Sequence, residues 1–227
     1  VRFAGGLHGT TATRARRIAT LKSLFGFGVR LGLLPTNPTL VIRCPRTEGA
    51  VHERILTEEE VTLVIQEAAP GRDRVLIRTL YLAGLRITEA LGIRFADLGR
   101  RWITVRGKGA RTRTVVVPQE LVYELLGLRW RTDADKAFVF KGQNGAAISG
   151  RFARRMVKVA SEEAIGKPIG PHWLRHSHAT HALEPGAPIH LVQHSLCHRS
   201  IATTAAYLPL AILIAATGAG FYFKRVA

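Results

Sequence analysis

The sequence predicts a mainly α-helical protein with one small antiparallel β-sheet. Apolar residues recur at helical spacing through most of the chain, whereas residues 102–106 and 112–117 are rich in β-branched side chains and flank a glycine-containing turn. Hydrophobic residues make up 47% of the 227 residues, which is enough for a packed core. A chain of this length accommodates one large domain and a smaller companion.

Residues 13–34 predict an amphipathic helix with a basic face. Apolar and basic side chains alternate there at helical spacing, the apolar ones being Ile18, Leu21, Leu24, Phe25, Val29 and Leu33 and the basic ones Arg14, Arg16, Arg17, Lys22 and Arg30. Pro35 and Pro38 end this helix, because proline lacks the backbone donor that a helix interior needs. Residues 39–54 show no periodicity and indicate a linker between domains, which we place at residues 46–54.

A second helical unit is predicted to begin at Thr57. The segment Thr57-Glu58-Glu59-Glu60 has the form of a capping box, with a hydroxyl at the N-cap and a glutamate three residues later. We expect Tyr81 and Tyr123 to be core residues of this unit, since both lie in apolar helical patterns. Helices are predicted at residues 57–69, 72–83, 87–94, 118–128, 149–164, 172–183, 188–195 and 200–214.

The nearly uncharged segment 208–223 predicts a buried or docking helix. It is 16 residues long and is interrupted by Gly218 and Gly220, whereas a helix that spans a bilayer usually needs about 20 apolar residues. We therefore expect no membrane partner. Residues 1–9 lack the pattern of a secretory signal, and two cysteines, Cys44 and Cys197, are too few for a disulfide framework, so we expect a cytoplasmic protein.

The charge of the chain indicates a polyanionic partner. Lysine and arginine total 33 against 16 aspartate and glutamate residues, for a formal net charge of +17. Such an excess attracts polyanions, and nucleic acid is the most common large one. The alternative is a basic, solvated surface that has no dedicated partner.

Two of the candidate functional residues follow glycines. Arg86 comes two residues after Gly84 at a predicted helix junction, where a guanidinium can bind an anion with two parallel hydrogen bonds. The alternative is a surface arginine that pairs with Glu89. Lys108 lies between two glycines at the tip of the predicted hairpin, where the backbone can approach a ligand closely; the alternative is a solvated lysine.

Further candidates lie in the last third of the sequence. His172 and Arg175 are three residues apart on a helix that begins at Pro171, so both can face one anion. The alternative is a histidine packed in the core. Tyr207 follows His198 by nine residues, and a phenol needs nearby cations or a base to become a nucleophile, because its pKa is about 10. Most tyrosines in helices are packing residues.

Taken together, these segments resemble the tyrosine recombinase (phage integrase) family, in its bacterial Xer-like or integrase type. The resemblance runs from about residue 10 to Tyr207, in the order Gly-Leu-Arg86-Ile-Thr-Glu-Ala-Leu, Gly-Lys108-Gly, His172-Trp-Leu-Arg175-His-Ser-His, Leu-Cys-His198-Arg-Ser and Thr-Thr-Ala-Ala-Tyr207. Any one of these short motifs is unspecific, but their order and spacing are specific. Cys197 departs from the family pattern, which has glycine before this histidine, and the apolar tail is also unusual.

The resemblance implies a role for each candidate residue. Arg86 and Arg175 would clamp the scissile phosphate and Lys108 would protonate the departing 5′ oxygen. His172 would move the tyrosine proton, His198 would hydrogen-bond a phosphate oxygen, and Tyr207 would attack to form a 3′-phosphotyrosyl link. Glu89 would support Arg86. The expected DNA-binding residues are Arg14, Arg16, Arg17, Lys22, Arg111 and Arg113.

The resemblance also implies the domain organisation and the partners. Residues 1–45 would be part of a helical core-binding domain, residues 46–54 a linker, residues 55–207 the catalytic domain and residues 208–227 a tail that docks onto a neighbouring subunit. The expected partner is double-stranded DNA, bound by a homotetramer in the bacterial nucleoid. The chemistry needs no ATP, metal or other cofactor, because the phosphotyrosine conserves the energy of the broken bond.

Two other interpretations stay open at this point. The pairs His172/His176 and His194/His198, with Cys197 adjacent, have spacings compatible with zinc. No glutamate follows the first histidine of either pair, so the zinc protease pattern is absent, and zinc would leave Arg86 and Lys108 without a role. The second alternative is a basic DNA-binding protein that has weak catalytic activity or none.

Overall fold

The structure is a computed structural model that describes residue 6 and residues 8–45, 54–107 and 112–183. The chain divides into two compact units, Val1–Ala50 and Val51–Ala227. The helices predicted at residues 188–195 and 200–214, and the apolar segment 208–223, lie outside the described residues. Among the helices that are described, none combines the length and apolar character that a membrane span requires.

In the first unit, helix α1 covers Thr11–Arg30. The Thr10 hydroxyl caps its start by accepting a hydrogen bond from the Thr13 backbone N–H. The helix ends earlier than the predicted residue 34, because Gly32 adopts a left-handed conformation with φ of +70°. Ile18 is buried, whereas Leu24 and Leu33 are 61% and 73% exposed. The predicted apolar face is therefore only partly covered by the described part of this unit, in which α1 is the one helix.

The second unit contains six helices within residues 54–107 and 112–183. Their bounds are Glu58–Glu67 (α2), Arg72–Leu82 (α3), Ile87–Leu91 (α4), Gln119–Gly127 (α5), Gly150–Ile165 (α6) and Pro171–Leu183 (α7). The predicted capping box at the start of α2 is confirmed: the Thr57 hydroxyl accepts from the Glu60 N–H, and the Glu60 carboxylate accepts from the Thr57 N–H. Local sequence signals therefore locate these helices to within a few residues.

The two predicted strands form an antiparallel hairpin, with β1 at Trp102–Arg106 and β2 at Thr112–Val116. Val105 pairs with Arg113 in its register, and Ile103 pairs with Val115. All four of these side chains are buried, whereas the ends of both strands are exposed. The hairpin thus has one face on the core, and Arg113 lies on that face.

Helix α3 lies at the centre of the core and packs against α7, while α2 packs against α6. The buried side chains Leu76, Leu80 and Leu174 have no measurable exposure, and each such burial stabilises the fold by roughly 1.5–3 kcal/mol. Tyr81 is buried as predicted. The prediction for Tyr123 is wrong, because this side chain is 62% exposed. Helix α5 buries Leu121, Val122 and Leu125 instead, and position 123 lies on the opposite side of the helix.

Candidate active site

Arg86 lies at the junction between α3 and α4. Gly84 has a φ of +58°, a left-handed conformation that favours glycine and lets the chain turn after α3. The Arg86 backbone N–H donates to Glu89 Oε2 over 2.9 Å, and Arg86 Nη1 donates to Oε1 over 3.0 Å. Its side chain is still 42% exposed. Arg86 therefore pairs with Glu89 and still has a guanidinium that an anion can reach.

Arg175 reaches the same junction from α7. It is only 5% exposed, and its Nη1 donates to the carbonyl oxygen of Gly84 over 2.5 Å. The same nitrogen lies 3.9 Å from Glu89 Oε2. The structure therefore brings Arg86 and Arg175, which are far apart in the sequence, to one carboxylate. His172 is one helical turn before Arg175 on α7, as its spacing predicted.

Glu89 is the buried centre of this arrangement. Its two oxygens accept a forked pair of bonds from Arg113, with Nη1–Oε1 at 3.1 Å and Nη2–Oε2 at 3.0 Å. Burial alone would raise the pKa of Glu89, but the hydrogen bonds from Arg113 and Arg86 outweigh it and lower the pKa to about 2. Glu89 is therefore a permanent anion in the folded protein and supports more than Arg86 alone.

The structure corrects the expected role of Arg113. We expected the Arg113 side chain to contact DNA, but it is only 6% exposed. Its guanidinium donates hydrogen bonds to Glu89 on the core face of β2. The reason is the pleat of the hairpin, since position 113 alternates with the exposed positions 112 and 114. A basic residue in a strand can face either side, and the charge of the sequence does not say which.

His172 is an exposed side chain at the start of α7, which argues against the core-packed alternative. The protein atoms around the ring still reduce its hydration, and this effect, together with the positive charges of Arg175, Arg86 and Arg154, lowers the pKa of His172. The imidazole is therefore neutral at pH 7 and able to accept a proton. One turn later, burial and the charges of His172, Arg175 and Arg54 lower the pKa of His176 to about 4.

Arg154 is a site residue that the sequence analysis missed. It is exposed on α6, and its charge acts on His172. The signal was a cluster of basic residues at helical spacing, Arg151, Arg154, Arg155 and Lys158, which we did not assign to any function. Such clusters are usually solvated faces, and only the effect of the Arg154 charge on His172 distinguishes this one.

Several predicted residues lie outside the described ranges, namely Lys108, Arg111, His198 and Tyr207, together with His194 and Cys197 of the zinc alternative. The pair Arg106 and Thr112 closes the described part of the hairpin on either side of Lys108. In the first unit, Arg14, Arg16 and Arg17 are exposed or partly exposed, as is Lys22. Within the described residues, no three histidine, cysteine, aspartate or glutamate side chains come close enough together to hold a metal ion.

The described part of the site has a definite chemical capacity. Two guanidiniums are oriented by one buried carboxylate and one carbonyl, and a neutral imidazole lies beside them. Planar guanidiniums bind phosphate oxygens with directed, charge-assisted hydrogen bonds, and the imidazole supplies a base. This combination suits a tetrahedral oxyanion that is attacked by a hydroxyl group.

Comparison with known proteins agrees with this geometry. The profile of the Phage integrase family matches residues 53–211 of this chain. The tyrosine recombinase XerC of Myxococcus xanthus is 32% identical over 213 residues, which cover 86% of this chain and 71% of that protein. The range of the family profile includes every candidate catalytic position from Arg86 to Tyr207.

Two solved structures are similar to this one. The crystal structure of XerA recombinase has a TM-score of 0.64 and 29% identity, over 72% of this chain and 64% of that chain. The crystal structure of the XerH site-specific recombinase bound to its difH substrate, a pre-cleavage complex, has a TM-score of 0.68. The identity to XerH is 22%, over 93% of this chain and 66% of that chain, so this likeness shows the fold alone. This chain spans just under two thirds of the chains in those structures.

The family profile covers most of the chain, and the relatives support neither the zinc site nor the non-catalytic DNA-binding protein. The mainly helical fold with its two-stranded sheet, predicted at the outset, is confirmed. The chain belongs to the phage integrase family, the tyrosine recombinases, which cleave and rejoin DNA.

Proposed function

We propose that this chain is a site-specific DNA recombinase that breaks and rejoins strands through a covalent bond between Tyr207 and a 3′ phosphate. The observation that supports this most directly is the convergence of Arg86 and Arg175 on Glu89, beside a neutral His172. The relatives of the chain are recombinases by name, and XerH was solved with its DNA substrate.

In this proposal, the two arginines bind the scissile phosphodiester. That group has one negative charge and gains more in the five-coordinate transition state. Donors that are already fixed stabilise the transition state more than the ground state, because no reorganisation is needed when the charge develops. Glu89 and the Gly84 carbonyl fix Arg86 and Arg175 in this way.

The remaining steps are proton transfers and one exchange of bonds. The Tyr207 phenol loses its proton to His172, and its oxygen bonds to phosphorus while the bond from phosphorus to the 5′ oxygen breaks. Lys108 protonates that oxygen, which lowers the barrier enough to raise the rate by about 10²–10⁴-fold, and His198 hydrogen-bonds a nonbridging oxygen. A 5′ hydroxyl then attacks in reverse to reseal the strand, so no ATP, metal or cofactor is consumed.

Duplex DNA is the proposed partner. The net charge of +17 favours it, and Arg14, Arg16 and Arg17 on α1 provide phosphate contacts outside the catalytic unit. We propose that residues 1–45 form part of a core-binding domain, residues 46–54 a linker and residues 55–207 the catalytic domain. We further propose a homotetramer on the DNA synapse in the bacterial nucleoid, with residues 208–227 docking onto the neighbouring subunit.

A covalent-capture experiment tests this function and identifies the DNA site at the same time. The protein is incubated with a pool of nicked duplexes of random central sequence, and SDS-resistant adducts are recovered and sequenced. Each nick lets a short fragment diffuse away after cleavage, which traps the intermediate. We expect the wild-type protein to enrich a defined sequence as a covalent adduct.

Two phenylalanine variants identify the nucleophile. Tyr207→Phe should abolish the adduct while leaving duplex binding in a gel-shift assay unchanged. Tyr222→Phe is the matched control, since it removes a phenol from the same end of the chain, and it should form the adduct normally. Loss of the adduct in Tyr222→Phe alone, or failure of the wild-type protein to form any adduct, would overturn the proposal.

A further inference from the structure

We propose that Arg113 is a positioning residue for Arg86 and Arg175, which together we call the phosphate clamp. By neutralising the charge of Glu89 from the core side, Arg113 keeps the two guanidiniums of the clamp available for DNA. This inference rests on the proposed function. Arg113 does not touch the phosphate in this proposal, because its side chain is 6% exposed and faces the core. It acts on the reaction through the carboxylate that it shares with the clamp.

The geometry around Glu89 separates Arg113 from the other two guanidiniums. Arg113 donates to both carboxylate oxygens, at 3.1 and 3.0 Å, which is the forked arrangement of the strongest guanidinium–carboxylate pairs. Arg86 shares one of these oxygens at 3.0 Å. Arg175 lies 3.9 Å from the other, beyond hydrogen-bond distance, and directs its Nη1 to the Gly84 carbonyl instead.

The balance of charge around Glu89 also depends on Arg113. One buried carboxylate faces three guanidiniums, and the buried Arg113 compensates its charge. If Arg113 were neutral, Glu89 would be left with Arg86 and Arg175 as its only charged partners among these contacts. Because an unpaired buried charge is costly, these two guanidiniums would then have to supply all of its compensation. Glu89 would then draw both guanidiniums toward itself and away from the phosphate.

The position of Arg113 in the hairpin holds its guanidinium in place. Arg113 is the second residue of β2, and it pairs with Val105 in the sheet. Among the described residues of the hairpin, Arg106 also forms an ion pair, with Asp97, but the Arg106 side chain is 62% exposed, so water screens that pair. Arg113 is therefore the firmer of these two ties between the hairpin and the helical core.

The test compares two scissile groups in one duplex. The sequence recovered by covalent capture is made with a normal phosphodiester or with an uncharged methylphosphonate at the cleavage position. Loss of the clamp matters less on the methylphosphonate, because that group has no negative charge to neutralise. A variant with a merely weakened fold would lose the same factor on both substrates, so the ratio between them separates positioning from structural support.

Two variants of Arg113 are compared with a control. Arg113→Met should slow adduct formation on the phosphodiester by about 10- to 100-fold, by analogy with the loss of residues that orient metal ligands. The deficit should shrink several-fold on the methylphosphonate. Arg113→Lys keeps the positive charge but cannot bond both oxygens of Glu89 in parallel. We expect it to slow adduct formation less than Arg113→Met does, and again to do so less on the methylphosphonate than on the phosphodiester. If Arg113→Met does not fold, this variant tests the proposal. Arg78→Met, which breaks the pair with Glu124, should give the wild-type ratio between the two substrates.

Two results would overturn the inference. One is an equal deficit of the Arg113 variants on both substrates. The other is recovery of the wild-type rate by the Arg113 variants on a duplex with sulfur at the 5′ bridging position. A thiolate leaves without being protonated, so this recovery would mean that Arg113 supports Lys108 and the leaving group and not the clamp. A wild-type protein that forms no adduct at all would instead contradict the proposed function, so the two failures are distinguishable.

Discussion

At the scale of single residues, Glu89 connects the core to the candidate site. This carboxylate is 4% exposed, contacts three guanidiniums and has a pKa of about 2, because the bonds from Arg113 and Arg86 outweigh the effect of burial. Replacing an ion with its neutral isostere in such a place leaves buried partners uncompensated. The same residue therefore contributes to stability through Arg113 and to the site through Arg86 and Arg175.

Glu89→Gln should destabilise the protein by about 3 kcal/mol, the lower end of the cost of removing one partner from a buried ion pair. Arg113 would then be buried without a full negative charge beside it. Urea denaturation followed by circular dichroism measures this difference at pH 7. Glu162→Gln is the control, since Glu162 pairs with Lys158 on an exposed surface of α6, and it should change stability little. Equal stability of Glu89→Gln and wild type would contradict this view of Glu89.

Residue identity was readable from the sequence only where a motif or a local signal defined it. Arg86, His172 and Arg175 were predicted from their neighbours; the structure brings both arginines to Glu89, and their charges act on His172, while the catalytic roles of all three stay a prediction. Arg113 and Tyr123 were misassigned and Arg154 was missed, because in each case the answer depends on which face of a strand or helix packs against the rest. The type of a single residue does not show whether its face of the element is buried. The alternation along a strand or the spacing along a helix shows this once the element against which it packs is known.

At the scale of elements, helix α7 joins the site to the core. Its exposed start bears His172, and its buried part bears His178 and His181. The Tyr81 hydroxyl lies 2.8 Å from His181 Nδ1, which connects α7 to α3. Burial lowers the pKa of both His178 and His181 to about 4, so these rings are neutral in the folded protein at pH 7.

The buried histidines predict how stability depends on pH. Their pKa is about 4 when folded and 6.5 when exposed, so the unfolded chain binds more protons between these values. The contribution of these two histidines to the free energy of unfolding should therefore be fully present above about pH 6.5. It should decrease as the pH falls toward about 4. Urea denaturation at pH 7.5 and pH 5 measures the loss. His181→Gln should reduce this pH dependence, and equal stability of the wild-type protein at the two pH values would contradict it.

The boundaries of elements were predictable because chemical signals mark them. The capping box at Thr57, Pro171 at the start of α7 and Gly166 after α6 each fix an end, the last with a left-handed φ of +67°. Helix α1 was predicted too long because Pro35 was taken as its end, whereas Gly32 ends the helical conformation before it. By contrast, no local pattern in the sequence marks which elements contact each other in the fold.

At the scale of the whole molecule, the net charge of +17 should govern DNA binding. Each phosphate contact releases condensed counterions, so the logarithm of the binding constant falls steeply with the logarithm of salt concentration. Replacing Arg14, Arg16 and Arg17 together with alanine should reduce the steepness of that slope by about 3, close to one for each lost contact.

Fluorescence anisotropy with a labelled duplex over a range of salt concentrations measures this slope. Lys167→Ala is the control, because its ammonium pairs with Glu60 and is not counted among the phosphate contacts. The control should retain the wild-type slope. A triple variant that also retained it would show that α1 does not contact the DNA backbone.

The most direct test of the central claim is a structure of Tyr207→Phe bound to a duplex that contains its recombination site. We expect the guanidiniums of both Arg86 and Arg175 to lie within hydrogen-bond distance of one scissile phosphate, about 3 Å from its oxygens. We also expect Arg113 to stay on Glu89, away from the DNA. A scissile phosphate held by other residues, with Arg86 and Arg175 distant from it, would contradict the account.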